Sequence, residues 1–225
     1  MKRLTKTIMI SLFIVFALCF ATYAKTGEEA EPAKNEKILL EAPSYVYVSG
    51  DNLYWGGQMP KVGIYLEFLG PKENVIKTGD DPVDFYRYLE GGTVPQFRIR
   101  CVPEVHEKEK YAPSDWLEPE DITPEKLAGL GLEGWIGLPG RWYYFKNGVP
   151  QKGWQTIDGK VYYLDPETGV MQNGWFSKEE KWYYFSEDNG ELVTNGKTPD
   201  GYTVDKGGAW TGQPASTRKT YPPFY

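Results

Sequence analysis

Cysteine and histidine are almost missing from this chain, with two cysteines (Cys19 and Cys101) and one histidine (His106) in 225 residues. That scarcity excludes a disulfide framework and the clusters of thiol and imidazole that build a metal site. No glycine loop of the phosphate-cradling type is present, although the chain holds 25 glycines. Helical periodicity is nearly absent; Pro82 to Leu89 offers at most one turn. Positive charge is in deficit, with 25 Lys and Arg against 31 Asp and Glu and a net charge of −6. Such a balance disfavours nucleic acid and anionic membrane as partners.

The one long apolar run is N-terminal. Lys2, Arg3 and Lys6 precede Ile8 to Phe20, and Thr22 and Ala24 stand at the −3 and −1 positions of a signal-peptidase site. The run is short of the roughly 20 residues of a membrane span, so residues 1–24 read as a cleaved signal peptide and no membrane span is expected after cleavage. Leu18 is too bulky for lipoprotein processing at Cys19. Removing three basic residues from 25 leaves 22 against 31 acids, a formal charge of −9. Cys101 is then the sole cysteine, and an exported chain of this size without a disulfide points to a Gram-positive source.

Aromatic residues are abundant: 17 Tyr, 10 Phe and 8 Trp make 16% of a polar chain. Residues 25–37, charged and without large apolar side chains, form a disordered leader. Residues 38–123 carry short β-rich runs, among them Tyr45 to Val48, Asn52 to Trp55, Val62 to Leu69 and Gln96 to Val102, separated by Gly-rich turns. In the last of these Phe97, Ile99 and Cys101 alternate with Arg98 and Arg100, as in a half-buried antiparallel strand. Several such strands in under 90 residues predict a β-sandwich. The order of Ala42-Pro43-Ser44, the Trp55 and Tyr65 strands, Phe97-Arg98-Ile99-Arg100 and Tyr111-Ala112-Pro113-Ser114-Asp115-Trp116 resembles a fibronectin type III-like module. Residues 124–133 read as a linker, with a short helix begun by Thr123 and Pro124 and ended by Gly129 and Gly131.

The rest repeats. Gly134-Trp135, Gly153-Trp154 and Gly174-Trp175 open three units, spanning 134–152, 153–173 and 174–195, and a degenerate fourth covers 196–210. Each Gly-Trp leads to an aromatic strand: Trp142-Tyr143-Tyr144-Phe145, Val161-Tyr162-Tyr163-Leu164 and Trp182-Tyr183-Tyr184-Phe185. A lone hairpin of this size is marginal in water, so stability must come from stacking one unit on the next. Alternation puts Trp142 and Tyr144 on one side and Tyr143 and Phe145 on the other, so one side can build the spine and the other can stay reachable at the groove between units. Residues 211–225 form a tail with no legible role.

This pattern resembles the cell-wall-binding repeat of the choline-binding and glucan-binding proteins. The resemblance implies an all-β chain, a β-sandwich followed by a short β-hairpin solenoid, with ligands held between hairpins in cages of about three rings. Carried over, one cage would use Trp135 and Trp142, closed by Tyr163 or Tyr162. The second would use Trp154 with Tyr184, with Val161 where a ring is expected. The third would use Trp175 and Trp182, closed by Tyr202. Rings hold a quaternary ammonium through their negative faces, about 0.5–2 kcal/mol per ring, and also stack on sugars.

Catalysis finds no residues here. His106 lies five positions from Cys101, but Cys101 shares the inward side of Phe97 and Ile99 and reads as a small buried side chain. The acidic residues Glu118, Glu120 and Asp121 sit among prolines in a solvated loop. The expectation is a secreted, non-catalytic protein without cofactor, attached at the cell surface to choline-substituted teichoic acid or glucan. The alternative is an adhesin whose repeats are a spacer and whose sandwich binds a host or neighbouring protein.

Overall fold

The computed structural model of the protein describes residues 36–57, 62–77, 79, 82–89 and 91–212. The expected signal peptide, the leader up to residue 35 and the tail from residue 213 lie outside the described residues. Strands in chain order are β1 (Ile38–Leu39), β2 (Tyr45–Ser49), β3 (Asn52–Gly56), β4 (Gly63–Phe68), β5 (Val75–Lys77), β6 (Val83–Asp84), β7 (Phe97–Val102) and β8 (Tyr111–Ala112). They are followed by β9 (Gly134–Leu138), β10 (Arg141–Lys146), β11 (Val149–Pro150), β12 (Gly153–Ile157), β13 (Lys160–Leu164), β14 (Gly174–Lys178), β15 (Lys181–Phe185), β16 (Gly196–Lys197) and β17 (Thr203–Val204). Regular structure among the described residues is otherwise limited to four short 3-10 segments. Two of them fall where the sequence suggests helix, at Tyr86–Tyr88 and Pro124–Leu127. The second stops after one turn because Gly129 and Gly131 both take positive φ.

Two sheets face each other in the N-terminal part. In one, β2 and β3 form a hairpin and β6 pairs with β3; in the other, β4 lies between β5 and β7. Leu117 exchanges backbone hydrogen bonds with Ile99, so the segment after β8 extends the second sheet beyond β7. Alternation sets the core. Val46, Val48, Leu53 and Trp55 point inward from the first sheet and Ile64, Leu66, Phe68, Phe97 and Ile99 from the second. Each such side chain contributes roughly 1.5–3 kcal/mol on full burial. Cys101 is buried as its alternation predicts, and burial pushes its thiol up to about 11, out of the reactive range.

The first repeat does not stand apart from this sandwich. Strand β9 pairs with β2, through Val48 opposite Gly137 and Ser49 opposite Ile136, and this makes a six-stranded sheet ordered β11-β10-β9-β2-β3-β6. Gly137 permits the approach: a Cβ there would lie 2.5 Å from Val94 Cγ2 and 3.1 Å from Val48 Cβ. Ile136, Leu138, Tyr143 and Phe145 consequently share one buried cluster with the sandwich core and with Ile122 and Leu127 of the connecting segment.

The second and third hairpins are separate two-stranded sheets, β12-β13 and β14-β15, each closed by a two-residue turn. They are tied to their neighbours by a bond that recurs once per unit. Met171 N–H donates to Trp142 O at 2.8 Å, Leu192 N–H to Val161 O at 2.8 Å and Trp210 N–H to Trp182 O at 2.7 Å. On its other side the returning segment bonds its own hairpin, Gln172 to Tyr163 O and Val193 to Tyr184 O. A lone hairpin thereby gains a third partner strand, which is how short units become stable in series.

Candidate functional site

Each repeat opens on a glycine with positive φ, Gly134, Gly153 and Gly174, which turns the chain into the strand and sets the following Trp on its outward face. Register then places that Trp opposite the third ring position of the aromatic strand: Trp135 opposite Tyr144, Trp154 opposite Tyr163 and Trp175 opposite Tyr184. The ring centroids in these pairs are 5.2, 5.1 and 5.3 Å apart, edge to face. A further ring arrives from the next unit. Trp135 meets Tyr162 at 4.8 Å, Trp154 meets Tyr183 at 5.1 Å and Trp175 meets Tyr202 at 5.5 Å. Three successive interfaces therefore hold the same Trp-Tyr-Tyr set, with geometry favoured by the ring quadrupole.

The residues expected from the sequence distribute unevenly over these sets. Trp135, Trp154, Trp175 and Tyr202 take the expected interface positions. Tyr162, the alternative, closes the first interface, and Tyr163 backs Trp154 within its own hairpin. Tyr184 backs Trp175, and Tyr183 is the ring that reaches Trp154. The reason is the strand's two-residue period: second-position rings face the preceding unit and third-position rings face their own Trp. Trp142 points the other way from an open cage. Its ring packs beside Gly137 and against the sandwich core, and its indole N–H donates to Gly92 O at 2.7 Å. Trp182 stands opposite Ser177 and its carbonyl receives the Trp210 N–H.

Exposure differs within each set. Tyr162, Tyr163, Tyr184 and Tyr202 are buried, whereas Trp154 remains 39% exposed. The third interface adds charge. Trp175 donates its indole N–H to Asp200 Oδ2 at 2.8 Å, and Thr198 Oγ1 donates to Asp200 Oδ1 at 2.5 Å. A surface pocket of about 550 Å³ there is lined by Asn173, Trp175, Tyr184, Glu187, Pro199 and Asp200. Burial, with Glu187 and Asp200 nearby, raises the Tyr184 phenol above its usual range. Sequence reasoning misses Asp200 because the fourth unit is out of register with the others, and Glu187 because it lies in the turn that follows the aromatic strand. The one available signal is an acid two residues before Tyr202.

Residues 132–171 and 151–196 match the model of the choline-binding repeat family. Toxin A of Clostridium novyi is 47% identical over 38 residues, a match that spans 16% of this chain and 2% of the toxin's length. A solved choline binding domain from Streptococcus pneumoniae is 38% identical, with 36% of this chain and 95% of that domain covered and a TM-score of 0.33. The protein CbpJ of the same species is 19% identical over 79% of this chain and 55% of its own, with a TM-score of 0.35. The array from residue 132 to residue 196 thus consists of choline-binding repeats. Among the described residues no helix is long and apolar enough to cross a membrane.

Proposed function

We propose that these choline-binding repeats hold a secreted, non-catalytic protein to choline-bearing polymer of a cell wall, with ligands seated at the grooves between units. The observation that carries the reading is the recurrence of one Trp-Tyr-Tyr set at three successive interfaces. A trimethylammonium group cannot accept or donate a strong hydrogen bond, and the faces of aromatic rings attract it by about 0.5–2 kcal/mol each. Carboxylates at the rim of the third groove, Glu187 and Asp200, add attraction for a cation that a neutral glucan would not share. The unit-to-unit bonds to Trp142, Val161 and Trp182 support a solenoid arrangement of the hairpins. The facing sheets β2-β3-β6 and β5-β4-β7 support the reading of residues 38–123 as a fibronectin type III-like module, displayed by the array.

The test is affinity chromatography of the full chain on choline-substituted and α-glucan resins in parallel. Retention on the choline resin with release by free choline is the expected result. Passage through the choline resin would overturn the reading, and retention on α-glucan alone would transfer the site to sugars.

A further inference from the structure

The sandwich carries a pocket that the repeats do not use. It has a volume of about 490 Å³ and lies where β4, β7 and β8 meet, walled by Tyr65, Arg100, Lys37, Lys108, Ile76 and Val105. That volume falls within the roughly 300–1,000 Å³ of small-ligand sites. Three cations line it, Lys37, Arg100 and Lys108, against one acid, Glu104, which lies 3.4 Å from His106. In a chain of net charge −6 this is a local inversion of sign. Ile76 and Val105 are 62% and 81% exposed, so apolar surface flanks the cations.

Arg98 and Arg100 stand on the same face of β7, and both guanidiniums lie over the Trp116 ring, at 4.2 and 4.4 Å from its centroid. Arg98 is bound by two carboxylates, Glu67 and Glu118. Arg100 has no carboxylate partner among the described residues, and its Nε is buried without a hydrogen-bond partner. A buried, unmatched donor of this kind costs about 1–3 kcal/mol, and a planar guanidinium is shaped to take a carboxylate through two parallel bonds.

We propose that this pocket binds the free carboxyl terminus of a short peptide with small apolar side chains. Arg100 takes the terminal carboxylate, Lys108 adds charge at the mouth, and the apolar residues before the carboxylate lie on Ile76 and Val105. The site is independent of the repeats, so choline neither competes with the peptide nor enhances its binding.

The test is a fluorescence titration of the full chain with N-acetyl-dialanine, followed through Trp116, with N-acetyl-dialanine amide and acetate as controls. A saturable signal is expected for the acid, with the amide and acetate each at least tenfold weaker. Arg100→Met should weaken binding at least tenfold. Ile76→Asp, at an exposed position that tolerates charge, should do the same by setting an acid at the mouth. Equal binding of acid and amide, equal binding by either variant, or no saturable signal from the wild-type chain would overturn the proposal. Equal binding of acetate would reduce the site to a nonspecific anion contact and would also overturn it.

Discussion

In the first repeat the residue opposite Trp142 is Gly137, whereas the second and third repeats carry Thr156 and Ser177 at that position. The difference decides what each hairpin packs against. With no side chain at Gly137, β9 comes into hydrogen-bonding distance of β2, and the hairpin becomes two strands of the sandwich's own sheet. Where a side chain stands there, the hairpin shares no sheet with the sandwich. The first unit therefore does two things at once: its hairpin is anchored in the sandwich sheet, and its Trp135 still meets Tyr162 at the first groove.

The largest expected effect separates the two roles through one motif position. Phe145 and Phe185 both close the aromatic strand and both are fully buried. Phe145 belongs to the cluster shared with the sandwich, whereas Phe185 touches Trp154, Tyr163 and Phe176. Phe145→Ala should destabilise the whole unit by about 3–5 kcal/mol. Phe185→Ala should open the second and third hairpins while residues before 150 stay protected. Hydrogen exchange resolved along the chain distinguishes these outcomes, and global loss of protection in Phe185→Ala would break the comparison.

A smaller effect is expected from Gly137→Thr, which gives the first unit the residue of the second. The added side chain must displace Val94 and Val48, an overpacking cost of about 1–3 kcal/mol. Denaturant unfolding should register it, along with a changed near-ultraviolet signal from Trp142 as its bond to Gly92 is strained. An unchanged midpoint would show that the β2–β9 pairing does not depend on the glycine.

The smallest effect lies in the turns. Asp158-Gly159 closes the second hairpin with φ of 50° and 76°, and Glu179-Glu180 closes the third with φ of 51° and 62°. Left-handed backbone at a residue with a Cβ costs about 1–2 kcal/mol, and glycine's extra chain entropy offsets about 0.5–1 kcal/mol of the gain, so Glu180→Gly should stabilise the third hairpin by up to about 1 kcal/mol. A thermal melt followed at the Trp175 signal checks the sign, and destabilisation would contradict it.

Much of the repeat array is legible in the sequence, since unit spacing and strand alternation are local. A two-residue period separates Tyr143 and Phe145 from Trp142 and Tyr144, but only the packing shows that Tyr143 and Phe145 are the buried pair. The fusion of the first hairpin with β2 is not legible, because it depends on a missing side chain at Gly137 fitting against Val48 and Val94, residues more than forty positions away. For the same reason the sequence sets Trp142 beside Trp135, although the sheet turns its ring towards the sandwich. Asp200 escapes notice because its partner, the Trp175 indole, lies 25 residues earlier across an irregular unit.

The most direct measurement is the free-choline concentration needed to elute the full chain and three variants from choline resin: Trp154→Ala, Trp175→Ala and Trp142→Ala. Loss of a groove-facing indole should lower the eluting concentration several-fold for Trp154→Ala and Trp175→Ala, in line with about 0.5–2 kcal/mol per ring. Trp142→Ala should lose stability but elute at the wild-type concentration under conditions where it is folded. The opposite pattern, early elution of Trp142→Ala and normal elution of the other two, would contradict the assignment of the grooves.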